Sequence, residues 1–123
     1  MALSRIVMRL ARNPDTAFPD GDDHRGYSLC APITPDGRLD EAVFRERAAD
    51  CVVRGFTPDE DPQVARLAFR GGVWSFDYDD AADAPDTVAY RLGEHRFVVG
   101  EYVSIADDEG VFLTYKVTEV SPA

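Results

Sequence analysis

From residue 4 the chain alternates. In SRIVMRLAR, Ile6, Met8 and Leu10 fall on one side, and Arg5, Val7 and Arg9 fall on the other. That period of two marks a strand with one buried face. The same reading predicts a strand in GYSLCAPI, with Tyr27, Leu29, Ala31 and Ile33 on one face and Pro32 at its end. CVVRGF reads as a short strand. ARLAFR sets Ala65, Leu67 and Phe69 against Arg66, Ala68 and Arg70; Gly71-Gly72 then turns the chain into VWSFDY, with Trp74, Phe76 and Tyr78 aligned. TVAYRL, FVVGEYVSI (bulged at Gly100) and VFLTYKVTEV complete the strands, and residues 121–123 are expected to fray.

One segment breaks the period. EAVFRERAAD predicts a helix over about residues 41–50, with Asp40 as N-cap, Glu41 favourably placed in the first turn and a modest apolar face of Ala42, Val43, Phe44, Ala48 and Ala49. Between the strands lie NPDTAFPDGDD, FTPDEDPQ and ADDEG, rich in proline, glycine and aspartate, which read as loops. Eight short strands, one helix and no βαβ alternation predict a β-rich α+β fold: a small antiparallel barrel or rolled sheet of about eight strands, plugged or flanked by the helix. The 123 residues are expected to form one domain.

Composition narrows the functional classes. The formal net charge is -10, which repels a phosphate backbone before contacts form. Nucleic acid is therefore disfavoured as a partner, and a protein partner is favoured. Twelve of the thirteen basic residues are arginine, Lys116 is the only lysine and Asn13 the only asparagine, a bias that GC-rich coding explains. MALSRIVMRLARNPD is interrupted by Arg5, Arg9 and Arg12, and no apolar run approaches the roughly 20 residues of a membrane span. A cytoplasmic location away from membranes is expected, with Cys30 and Cys51 reduced and serving as small apolar residues.

Four groups of residues invite a chemical reading. The run after Trp74 carries Asp77, Asp79, Asp80, Asp83 and Asp86. Aligned as a calcium loop from Asp77, it has Ala82 where the glycine belongs and Val88 where the final glutamate belongs, so it is not an EF-hand. It reads as a solvated connector or an interaction surface. In DGDDHRG, Asp22 and His24 stand two apart, which in an extended segment puts a carboxylate and an imidazole on one face, a minimal candidate metal pair. His24 and Cys30 are six residues apart, about 20 Å along a strand, too far for a nucleophile and its base. Arg5 and Arg9 share a face of one strand, and Arg66 and Arg70 share a face of another. If the two strands are neighbours, they build a positive face for a carboxylate, a phosphate or an RNA backbone; the alternative is pairing of each arginine with a nearby acid. Trp74, Tyr90, Tyr102 and Tyr115 are expected in the core.

No GxSxG, P-loop, GxGxxG or HExxH occurs, so the common catalytic frameworks are missing and no cofactor is expected. Two segments, APITPDGRLDEAVFRERAADCVVRGF (31–56) and FVVGEYVSIADDEGVFLTYKVTEV (97–120), together with WSFDYD between them, carry a resemblance. The order of a DGRLDE helix, a WSFDYD strand and a GEYVSI hairpin resembles a group of small uncharacterised, mainly proteobacterial proteins of unknown function. That resemblance implies no catalytic residue. The expectation is a binding or interaction module; a ligand-binding or enzymatic barrel with its site at the mouth, rimmed by His24 or His95, is the alternative, and RNA or phosphate binding through the strand arginines the third.

Overall fold

The computed structural model describes residues 3–59, 61–70, 73–77, 87–90, 95–106 and 111–123. The strands are β1 (Ser4–Leu10), β2 (Asp22–Ala31), β3 (Val52–Phe56), β4 (Gln63–Arg70), β5 (Val73–Asp77), β6 (Thr87–Tyr90), β7 (Tyr102–Ala106) and β8 (Phe112–Pro122). Each pairs antiparallel with the next, and β1 also pairs with β8, which closes the barrel. The fold is the β-rich barrel with one short helix that the hydrophobic pattern predicts.

Helix α1 (Glu41–Arg47) starts where Asp40 accepts from the Val43 backbone N–H, and continues as a 3₁₀ turn through Asp50. Its apolar face is narrower than expected: Phe44 is buried, Val43 is half-buried, and Ala42, Ala48 and Ala49 are exposed. Phe44 meets Trp74 edge-on at 5.0 Å, so one ring anchors the helix at the end of the barrel where β5 begins.

An eight-stranded barrel has an interior just wide enough for its own side chains. Here Ile6, Met8, Leu29, Val53, Phe76, Val103, Ile105 and Val117 fill it. Tyr27 packs between Phe76 and Tyr115, with ring centroids 5.2 Å away on each side. Among the described residues, no helix is long and apolar enough to cross a membrane.

Three local expectations change. The alternation of FVVGEYVSI does not continue as one strand. The Glu101 backbone N–H donates to Val98 O, and Gly100 has φ +98°, so residues 98–101 form a turn and the strand begins at Tyr102. Phe97 enters the core, while Val98 and Val99 stay exposed. The tail does not fray: β8 reaches Pro122, opposite Ser4, and Ala123 N–H donates to Leu3 O. Finally, β2 starts at Asp22, inside a segment whose composition reads as loop, because its backbone pairs with Leu10 across an irregular step.

Candidate binding face on the barrel wall

The outer wall is read from cross-strand register, because residues directly opposite in an antiparallel ladder project from the same face. Arg9 stands opposite Lys116 on β8, and Lys116 stands opposite Tyr102 on β7. On its other side Arg9 faces Gly26, and Gly26 faces Phe56. Their chain neighbours Met8 and Val117 are fully buried, which fixes the outward side. The result is a row of Tyr102, Lys116, Arg9, Gly26 and Phe56 across five strands.

Arg9 is oriented by two contacts. Its Nη1 donates to the Asp23 backbone carbonyl at 2.7 Å, and its guanidinium carbon lies 5.6 Å from the Phe56 ring centroid. It reaches Phe56 across position 26, where there is no side chain. A Cβ at that position would come within 2.0 Å of Met8 O, so the close approach of the two backbones demands glycine.

The opposition of Arg9 and Lys116 is unfavourable by itself, since like charges directly across a ladder repel. Among the described residues neither has a carboxylate within ion-pair distance. Along the wall from Arg5 to Arg9, β8, β1, β2 and β3 present Lys116, Arg5, Arg9 and Arg54 outward, against one acid, Glu119. Glu119 lies 3.9 Å from Arg5 with both side chains about half exposed, a weak pair. Arg54 is exposed between Ser28 and Val64. On a chain of net charge -10, this wall gathers positive charge.

The arginine set read from sequence is thus divided. Arg5 and Arg9 do share an outer face. Arg66 and Arg70 belong to β4, and β2 and β3 stand between, so the two pairs are three strand spacings apart, about 14 Å. The positive face that would form from neighbouring strands is not built that way. Arg66 stands opposite Asp77 and Arg70 opposite Val73. Tyr102 corrects another expectation: it is 54% exposed, whereas Trp74 and Tyr115 are buried.

The remaining candidates take these places. Asp22 accepts from the His24 backbone N–H at 2.9 Å, and its other oxygen lies 3.7 Å from Arg25 Nε. Its carboxylate is already engaged by its neighbours, and His24 is exposed. Among the described residues no three potential ligands come together as a metal site. Asp77 ends β5; Asp79, Asp80, Asp83 and Asp86 lie outside the described residues. His95 is half-buried. Burial pushes the Cys51 thiol up to about 11 and also raises that of Cys30. Cys51 S–H donates to Arg47 O at 3.4 Å, so it is a buried, protonated core residue. The chain matches no family model, no curated protein and no solved structure.

Proposed function

We propose that the protein is a cytoplasmic binding module whose working surface is the outer wall around Arg9 and Lys116, and whose partner is a protein presenting carboxylates. One observation carries this reading: two cations stand directly opposite each other, and among the described residues neither has a carboxylate within ion-pair distance. Such a pair weakens the sheet, and a bound anion reverses the sign of the interaction. The packed interior favours an external surface over a chamber. The net charge favours a protein carboxylate over a long phosphate polymer. The resemblance to small proteobacterial proteins belongs to the same proposal and adds no site residue.

Poly-L-glutamate serves as the probe. Titration at moderate salt should show binding that weakens as salt rises. The Arg9→Ala/Lys116→Ala variant should bind at least about tenfold more weakly, while Arg45→Ala, a control on helix α1, binds as the parent does. Absence of binding to the parent, or equal binding to the double variant, would overturn the reading.

A further inference from the structure

Tyr102 adds an apolar element beside the cations. It is exposed, it stands directly opposite Lys116, and the turn that leads into it carries Val99, which is more exposed still. At the other end of the row Phe56 is half-buried and covered by the Arg9 guanidinium. The row is therefore asymmetric: an open aromatic ring, then two adjacent cations, then a ring already in use.

We infer that the occupant is an extended acidic polypeptide segment with an apolar side chain two positions from a carboxylate. This inference rests on the reading of Arg9 and Lys116 as the anion site. The spacing comes from strand geometry. Tyr102 lies one and a half strand spacings from the midpoint between Lys116 and Arg9, about 7 Å. In an extended segment, side chains two apart project from the same side at nearly the same separation, about 6.8 Å. An apolar residue over Tyr102 thus sets the second-next carboxylate over the cation pair, where the Lys116 ammonium reaches it and the Arg9 guanidinium does so by turning from the Phe56 ring and the Asp23 carbonyl.

Charge and access separate this occupant from single-stranded nucleic acid. Stacking of successive bases requires open ring faces, and only one of the two rings in the row is open. The strand directions also bring the connections β1–β2 and β3–β4 to one rim, and among the described residues in and beside them Asp15, Asp20, Asp22, Asp23, Asp59 and Asp61 stand against Arg12. A polyphosphate following the wall toward that rim meets like charge, whereas a short segment with one or two carboxylates stays on the cations.

The test compares three probes on the intact protein: a peptide of repeating Leu-Thr-Glu-Thr units, polyglutamate matched in carboxylate number, and oligothymidylate. The leucine-containing peptide should bind on the order of tenfold more tightly than polyglutamate. The Val99→Ser/Tyr102→Ser variant should bind the leucine-containing peptide no more tightly than polyglutamate, with its thermal unfolding checked alongside. If polyglutamate itself fails to bind, the anion site is wrong. If polyglutamate binds and leucine adds nothing, the anion site stands and this inference falls. Tighter binding of oligothymidylate than of the peptide would assign the wall to nucleic acid and overturn it as well.

Discussion

Asn13, the chain's one asparagine, ties a loop to the barrel. Its Nδ2 donates to the carbonyls of Ala11 (2.8 Å) and Thr114 (3.1 Å), and its Oδ1 accepts from Thr114 N–H at 2.8 Å. The residue is 6% exposed. Asn13→Asp replaces a double donor with an acceptor facing two carbonyls, so we expect a loss of roughly 1–3 kcal/mol in denaturant unfolding near neutral pH. Cys51 makes a second residue-scale prediction. Its thiol is raised from 9.0 to about 11 by burial. Below pH 9 both folded and unfolded chains keep the proton. Between about 9 and 11 the unfolded chain releases it and the folded chain does not, so this contribution to stability is lost as pH rises through that window. Stability measured from pH 8 to 11 should fall less steeply in Cys51→Ala than in the parent; equal slopes would show that the thiol is not linked to folding.

At the scale of elements, strands that bury one face were legible because burial imprints a period of two. Residues 64–67 and 112–117 follow it closely, whereas in Ser4–Leu10 Val7, expected on the outer face, is buried as well. The helix was legible through its cap, since Asp40 has the side chain that satisfies a first-turn N–H. The turn at residues 98–101 was not, because Val98 and Val99 continue an apolar run while facing water. Only the backbone of Gly100 marks it. The site shows the same division. That Arg5 and Arg9 share a face follows from local periodicity. That Lys116 opposes Arg9 requires the barrel to close between the first strand and the last, and no local pattern encodes a register across that separation. Arg66 and Arg70 alternate in the same way, yet the sequential meander separates the two strands.

The whole molecule separates its charge. Among the described residues, the connections β1–β2 and β3–β4 gather acid at one rim, and the wall formed by β8, β1, β2 and β3 sets Lys116, Arg5, Arg9 and Arg54 against Glu119. With a screening length of about 8 Å at physiological ionic strength, such regions act on partners semi-independently. A wall shaped only by stability would replace one of the opposed cations with an acid. Lys116→Glu therefore tests the central claim most directly, with chemical unfolding and polyglutamate titration carried out on the same sample. We predict that the variant is more stable by roughly 0.2–1 kcal/mol, as repulsion becomes a cross-strand ion pair, and that its binding of polyglutamate is lost. A variant that is less stable, or that binds as the parent does, would contradict the account.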